Sequence, residues 1–462
     1  MRIYIDMHIS NRCLASEFSG GIKGKKISFL GANGVGVNAL AKFCADEGAI
    51  VCARDRVQGE LLRNLETFGA EIEEENDDIE GADAVVFSSA IREDSKVLLR
   101  ARDLGVKTYE RHEFLSLVAN AFDTVVGIAG SHGKTTVTAM LTHVLLLSDK
   151  SFVSMIGGEG FDFSNYVNNR KDGKNDVFVT EACEFRRHML SLDIDVAVLL
   201  NKDWDHPDSY PTRKSVEEAF DEFASKAKTR VVEHGECGVR VETESESIDF
   251  EFEPALDFAR VFMGGEYVGS LSAKQGLYNI KNSLFCVAAA YALGVKPQFA
   301  IKALGSFKGV KRRFEKVAEV FGKPVIFDFA HHPTELKNLF LRTKEYGDCL
   351  VVFQPHTYSR TRAYFEDYAD VFADDENGVK TLILCPTYAA REALDPACSI
   401  EALAERIVSK NAEKQVYTAK NAKSTPEFVK MMAKNYGAVL MVGAGDIYDL
   451  KADFKECSQI EE

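Results

Sequence analysis

Short runs of β-branched and aromatic residues alternate with stretches of helical period along almost the whole chain. Parallel sheets covered by helices give this alternation, because a strand buried on both faces reads as a continuous apolar run and its crossover as an amphipathic helix. Three blocks separate. In the first, apolar runs at 27–30, 50–52, 84–87 and 106–109 alternate with helical segments such as 37–46 and 95–104. In the second, strands predicted at 124–129, 177–180 and 196–200 alternate with helices at 137–147 and 216–226. Around 231–275 the period changes to two, as in IDFEFE and EYVGSLSA with Gly265 and Gly269, which predicts antiparallel hairpins inserted on this block. A helical pair at 280–293 and 297–306 closes it. The third block, from about Gly309, carries strands at 325–329, 349–353, 382–385, 415–418 and 438–442, each separated from the next by a helical segment. The charge run 71–80 reads as a solvated loop or sheet edge.

Composition narrows the class. Of 462 residues, 46% are hydrophobic and 27% charged, enough to bury sizeable cores. Asp and Glu number 71 against 56 Lys and Arg, a net charge of −15, which argues against a general nucleic-acid or anionic-membrane binder. No apolar stretch approaches the ~18 residues of a membrane span. The start, MRIYIDMHISNRC, lacks the apolar core and small-residue cleavage site of a secretory signal. Ten cysteines include no CxxC pair, and Cys349 and Cys385 lie in apolar runs and read as buried thiols. A reducing cytoplasm fits this usage.

The strongest local signal is GIAGSHGKTT, from Gly127 to Thr136, entered from an apolar strand and left by a helix. Glycines in that context let backbone N–H groups converge on phosphate oxygens at a helix N-terminus. Lys134 would neutralise the phosphates and the Thr135 hydroxyl would hold Mg²⁺. The strict GxxxxGK[ST] pattern is not met, since Ile128 stands where the first glycine belongs. The plain alternative is an ordinary Gly-rich strand-to-helix turn. Glu181 and His206 end or follow the next two strands, at the edge of an α/β sheet where ligands gather. A carboxylate suits Mg²⁺, and a histidine suggests a second metal position bound partly by substrate. Taken singly, each reads more readily as a loop or capping residue.

GANGVG, with Gly31, Gly34 and Gly36, resembles a dinucleotide fingerprint, but Asn33 replaces its second glycine. It is weak evidence for a redox cofactor and better evidence for a backbone nest that holds a nucleotide diphosphate; Asp55 would then meet a ribose. The third block carries KRRF (311–314), DFAHHP (328–333), QPHTYSRTR (354–362), YAARE (388–392) and GAGD (443–446). Three of these follow apolar strands and should share one edge, and their Arg and His residues point to anionic ligands. HHP by itself also reads as a helix start with Pro at N1.

GANGVGVNALA, SSAI, GIAGSHGKTT, EACEFRRHML, NKDWDHPDSY, YNIKN, GVKRRFE, DFAHHPTE, FQPHTYSRT, YAARE and GAGD occur in the order found in the Mur ligase family, and the chain resembles that family from residue 27 to 446. EACEFRRHML with DHPDSY resembles the form found in Gram-positive bacteria. The resemblance implies an α/β fold of three domains. These are an N-terminal Rossmann-like domain for the uridine nucleotide (1–122, with 1–25 an extension), a central P-loop ATPase domain with a mostly parallel sheet and a small antiparallel insertion (123–308), and a C-terminal Rossmann-like domain for the amino acid (309–462). It implies an ATP- and Mg²⁺-dependent, ADP-forming ligase of peptidoglycan synthesis, joining the lactyl carboxylate of UDP-N-acetylmuramic acid to L-alanine through an acyl phosphate. A sister ligase with a different amino acid or a peptide acceptor is the alternative; a nucleotide-binding protein without turnover is a more distant one. The expected protein is cytoplasmic and a monomer or weak homodimer, with no nucleic-acid partner.

Position by position, the resemblance assigns the ATP phosphates to Gly130, Ser131, Gly133, Lys134, Thr135 and Thr136. It gives the adenine side to Asn279 and Asn282, and further phosphate and ribose contacts to Arg313 and Asp328. Metal ligands would be Thr135, Glu181 and His206. His331, His356 and Arg360 would face the muramyl carboxylate and the alanine, with Lys134, His206, His331 and Arg360 as the catalytic set. Gly31, Gly34, Gly36, Ser89 and Arg111 would form the uridine-nucleotide site, and His356 would also touch that substrate. The chain departs from the family at Phe327, Tyr278, Lys202, Asn33 and Asn38. Cys183, beside Glu181, reads as a packing residue.

Overall fold

The computed structural model describes residues 14–74, 76–171, 173–272, 276–390 and 392–455; the first thirteen residues of the extension and Arg391 of YAARE lie outside the described residues. The first sheet holds β1 (Lys26–Leu30), β2 (Ile50–Arg54), β3 (Glu71–Ile72), β4 (Ala84–Phe87) and β5 (Lys107–Glu110), all parallel in the order β3-β2-β1-β4-β5. Parallel strands need crossovers, and helices Val35–Asp46 and Lys96–Leu104 supply two of them. Ile27, Phe29, Val85 and Val86 are fully buried, as two-sided cover requires. The charge run is not simply solvated. It begins as edge strand β3 and then wraps buried Arg54, whose guanidinium donates to the Asn76 and Asp78 carbonyls and pairs with Glu73.

The second sheet has ten strands: β6 (Thr124–Ala129), β7 (Phe152–Met155), β8 (Tyr166–Asn169), β9 (Val177–Glu181), β10 (Val196–Leu199), β11 (Thr229–Glu233), β12 (Gly238–Glu242), β13 (Ser247–Pro254), β14 (Phe258–Met263) and β15 (Glu266–Ser272). Their order is β15-β14-β13-β12-β11-β10-β6-β9-β7-β8. Strands β11, β10, β6, β9 and β7 are parallel, and β8 closes one edge antiparallel. The hairpins expected near 231–275 are a meander, β12 to β15, that continues this same sheet from β11. Helix Gly276–Ala292 then packs against the helix Lys134–Leu147 that follows β6.

The third sheet holds β16 (Glu315–Val320), β17 (Lys323–Asp328), β18 (Cys349–Phe353), β19 (Val379–Leu384), β20 (Gln415–Thr418) and β21 (Ala438–Val442), ordered β16-β17-β21-β18-β19-β20. All pairs are parallel except β16–β17, a hairpin where only helical connections were expected. Val325, Phe327, Leu350, Val352, Val439 and Met441 form its core with Val429, Ala433 and Phe454. By compactness, the described residues up to Asp205 group with Thr212–Gly309, and His206–Pro211 groups with those from Val310 onward. No helix among the described residues is long and apolar enough to cross a membrane.

Candidate active site

In the first unit, β6 ends at Ala129, and Gly130 (φ +140°) and Gly133 (φ +87°) turn the chain sharply into helix Lys134–Leu147. A Cβ on Gly133 would stand 2.9 Å from Asn282 Oδ1 and 3.2 Å from the Tyr278 hydroxyl, so only glycine allows the helix Gly276–Ala292 this close. Asn282 Nδ2 in turn donates to Asn279 Oδ1 at 3.2 Å. The loop is clamped from β10's end: His132 N–H donates to Asn201 Oδ1 (3.1 Å), Asn201 Nδ2 to His132 O (2.9 Å), and the Ser131 hydroxyl to Asp203 O (2.5 Å). Such a loop keeps its shape before any ligand arrives, which lowers the entropy cost of binding.

Lys134 opens the helix and folds back over the loop. Its Nζ donates to Gly130 O (2.5 Å) and Ser131 O (3.2 Å) and lies 2.8 Å from Glu184 Oε2, a carboxylate almost fully buried. Burial works against the ammonium, yet the charges of Glu184 and Glu181 and the Glu184 hydrogen bond outweigh it and raise the lysine's pKa. Burial, with Glu184 beside it, pushes the Cys183 thiol up, so it stays protonated and inert. The Thr135 hydroxyl donates to Glu181 Oε2 at 3.2 Å, and Gly157 N–H to Glu181 Oε1 at 2.5 Å. The structure thus brings Gly130, Ser131, Gly133, Lys134, Thr135, Thr136, Glu181, Asn279 and Asn282 around one strand-helix turn. Glu184, Asn201 and Gly157 were missed from the sequence. The second glutamate of EACE and the asparagine directly after β10 were the available signals.

At the first sheet, the N–H groups of Gly31 and Ala32 are taken by Arg54 O, that of Gly34 by Gly31 O and that of Asn33 by Asp55 Oδ2 (2.9 Å). Asp55's other oxygen accepts from Val57 N–H (2.9 Å), so this carboxylate braces the loop rather than awaiting a ribose. Donors for an anion remain in the first turn of helix Val35–Asp46, whose N–H groups have no intrahelical acceptor. Arg111 lies over that turn: a Cβ on Gly36 would stand 2.9 Å from its Cδ. Glu110 caps the helix Arg111–Ala119 in a capping box with Glu113 and is hydrogen-bonded by Ser89.

In the second unit β17, β21, β18 and β19 lie side by side and parallel, so the segments after them emerge at one edge. Gln354 locks two of these segments: Nε2 donates to Asp446 Oδ1 (2.6 Å), and Oε1 accepts from Ile447 N–H (3.1 Å). Asp328 accepts from Phe314 N–H (2.7 Å) and Ala330 N–H (2.8 Å). Burial raises its pKa against the opposing Arg313 charge and these two bonds. HHP does start a helix, with His332 as N-cap and Pro333 at N1. His331 faces Glu335 (3.3 Å) and lies 5.7 Å, ring to ring, from His356, which stacks on Tyr388. Arg360 Nη2 stands 3.0 Å from His206 Nε2. A guanidinium only donates, so in this arrangement the His206 ring accepts. A cleft of ≈ 570 Å³ lies beside them, lined by residues including Asp208, Tyr358, Ser359, Arg362 and Glu392.

Backbone strain marks the same segments. Of nine non-glycine residues with positive φ among those described, seven lie in the motifs singled out from sequence: Arg186, Arg187, His206, Arg312, Phe314, Thr357 and Ala390. Such conformations cost about 1–3 kcal/mol each and persist at sites that over-determine them.

Comparison with known proteins agrees with this geometry. Models described as the catalytic domain of the Mur ligase family, the Mur ligase middle domain and the Mur ligase glutamate ligase domain match residues 26–123, 128–234 and 312–445. A UDP-N-acetylmuramate–L-alanine ligase of Caldanaerobacter subterraneus subsp. tengcongensis is 31% identical over 94% of this chain and 98% of its own. That of Clostridium acetobutylicum is 34% identical over 92% and 96%. The crystal structure of the UDP-N-acetylmuramate-alanine ligase from Thermotoga maritima shares the fold, with a TM-score of 0.75 over 95% of this chain and 100% of that one, at 24% identity. With three family models in register and relatives aligned almost end to end, the chain belongs to the Mur ligase family.

Proposed function

We propose that this chain is the ATP-dependent ligase that joins the lactyl carboxylate of UDP-N-acetylmuramic acid to the amine of L-alanine, in peptidoglycan precursor synthesis. The observation that carries the reading is the Lys134–Thr135–Glu181 arrangement at the β6 turn. The substrate carboxylate attacks the γ-phosphorus of ATP; the new C–O–P bond forms as the β,γ-bridging P–O bond breaks, and ADP leaves. The alanine amine then attacks the acyl carbon, the C–O bond to phosphate breaks, and the amine's proton passes to a base. Both steps bring anions together. Lys134 offsets that repulsion, and the clamped loop directs N–H groups at the phosphates without reorganisation.

A hydroxyl and a carboxylate oxygen 3.2 Å apart are hard donors of the type Mg²⁺ takes, so Thr135 and Glu181 would hold it. Bound there it would supply charge neutralisation at the phosphates. Asn279 and Asn282 take the adenine side, with Arg313 and Asp328 as further nucleotide contacts. Gly31, Gly34, Gly36, Ser89 and Arg111 take the uridine nucleotide. His331, His356 and Arg360 serve the acid and amine substrates. The proposed lobes are 1–122, 123–308 and 309–462, and the family models matching 26–123, 128–234 and 312–445 support that reading. The free thiols among the described residues support a cytoplasmic setting.

The test is phosphate release from ATP and Mg²⁺ with UDP-N-acetylmuramic acid and single amino acids. Release that requires both the sugar nucleotide and L-alanine is expected. Release indifferent to both rejects the reading.

A further inference from the structure

One polar chain, buried at Lys42, Asn38 and Asn165, joins the two nucleotide sites of the first unit. It starts at Lys42, on helix Val35–Asp46, with 2% of its surface exposed. Its Nζ donates to Asn165 Oδ1 at 2.7 Å and to Ser164 Oγ at 2.9 Å. An ammonium has donors only, so the amide oxygen of Asn165 must face it and the amide nitrogen must point away. That nitrogen donates to Val35 O (2.9 Å) and Asn38 Oδ1 (3.1 Å). Asn38 is thereby oriented in turn, and its nitrogen donates to Ala32 O (3.2 Å) and Leu61 O (2.7 Å). Ala32 and Val35 are two of the residues of the GANGVG turn, and Asn38 and Asn165 are wholly buried.

The backbone of the same asparagine leads the other way. Asn165 O accepts from Ile156 N–H at 2.8 Å. The next residue, Gly157, donates to Glu181, whose other oxygen accepts from Thr135. A Cβ on Gly157 would lie 2.5 Å from Glu181 Oε1, so the carboxylate sits in a cradle that a side chain would fill. Helix Val35–Asp46 is laced to the same segment again by Tyr166 OH to Asp46 (2.8 Å) and Asn168 Nδ2 to Asp46 (3.2 Å). Water does not reach the asparagines, so a displacement that reaches Asn165 passes on to the GANGVG turn instead of being absorbed.

We propose that Asn165 is a positioning residue that couples the phosphate loop to the GANGVG turn, so that a nucleotide at one changes affinity at the other. This rests on the reading that the phosphate loop takes ATP and the turn takes the uridine nucleotide. Binding linkage is reciprocal, and coupling of this kind is worth about fivefold or more in affinity.

The experiment is isothermal titration calorimetry of UDP-N-acetylmuramic acid into the full-length protein, with and without saturating Mg²⁺ and a non-hydrolysable ATP analogue. In the wild type the two affinities differ by about fivefold or more. Asn165→Asp keeps an acceptor toward Lys42 but loses the donor toward Val35 and Asn38, so the ratio falls to one while the analogue's affinity alone is unchanged. Asn38→Ala, at the far end of the chain, does the same and decides the matter if Asn165→Asp has no thermal transition. A ratio of one in the wild type, or a wild-type ratio kept in the variants, overturns the coupling alone. No binding of the uridine nucleotide by the wild type overturns the underlying reading as well.

Discussion

In the proposed reaction the single charge of Lys134 would serve chemistry as well as stability. Its folded-state pKa is raised, so its favourable contribution is complete below the ordinary lysine value near 10.5 and is lost only as pH rises through the raised one. Across neutral pH its charge is constant, and a neutral limb in the pH–rate profile belongs to another group. Lys134→Ala removes the cation from the phosphates and also leaves Glu184 buried without its partner. Turnover should fall by several orders of magnitude, and unfolding stability by about 3–5 kcal/mol, the scale of a broken buried pair. Lys134→Ala with Glu184→Gln should recover stability in a urea melt and no activity. If the double variant turns over at near the wild-type rate, the lysine's role is wrong. Glu110 has the opposite sign. Burial opposes its charge, but the His112 ring 3.7 Å away, a hydrogen bond from Ser89 and the charge of His188 outweigh that and hold its pKa below the ordinary 4.5. Its contribution is present above about pH 4.5 and lost as pH falls toward the lowered value. Thermal midpoints measured from pH 6 to pH 3 should therefore fall less steeply for Glu110→Gln than for the wild type.

At the scale of elements, close approach decides more than propensity. Gly437 precedes β21, and a Cβ there would stand 1.6 Å from Tyr346 O. Gly437→Ala forces the connection before β18 away from the central strand of its sheet, and should cost about 3 kcal/mol in a denaturant titration; a loss near zero would show that the connection yields freely. The same scale separates what the residues disclose from what they hide. The β6 turn was legible because glycines at 130 and 133 followed by Lys-Thr break an apolar run only where a strand meets a helix. Strands β7 and β8 were not: FVSM and YVNN are only four residues long each, and the polar atoms of Asn165 and its neighbours read as loop until their partners on a distant helix are seen. Strand β16, EKVAEV, carries charges on its solvent side and looks helical, so the β16–β17 hairpin was missed. The meander was read as hairpins; that it extends the parallel sheet depends on pairing between β11 and β12, which no local pattern encodes. In the candidate site, the side chains proposed as catalytic come from motifs, while Glu184, Asn201 and Gly157, which contact that loop and Glu181, are fixed by contacts across the fold.

For the whole molecule, two compact units with separate cores make single-step unfolding unlooked-for in a chain of 462 residues. The phosphate loop lies wholly in the first unit. Calorimetric scans with Mg²⁺ and a non-hydrolysable ATP analogue should therefore raise the first unit's transition by more than the second's, to which only Arg313 and Asp328 are proposed as nucleotide contacts; a ligand binding only the native form at a hundred times its Kd stabilises by about 2.7 kcal/mol. An equal shift of both transitions would contradict a nucleotide held chiefly by that loop. The seven left-handed residues, from Arg186 to Ala390, are spread over both units. Glycine at any one of them would relax the main chain and blunt the aim of a neighbouring side chain. Breeding this enzyme for heat tolerance would meet those bends first, so a hardy descendant and a fast one would part company at the same few positions.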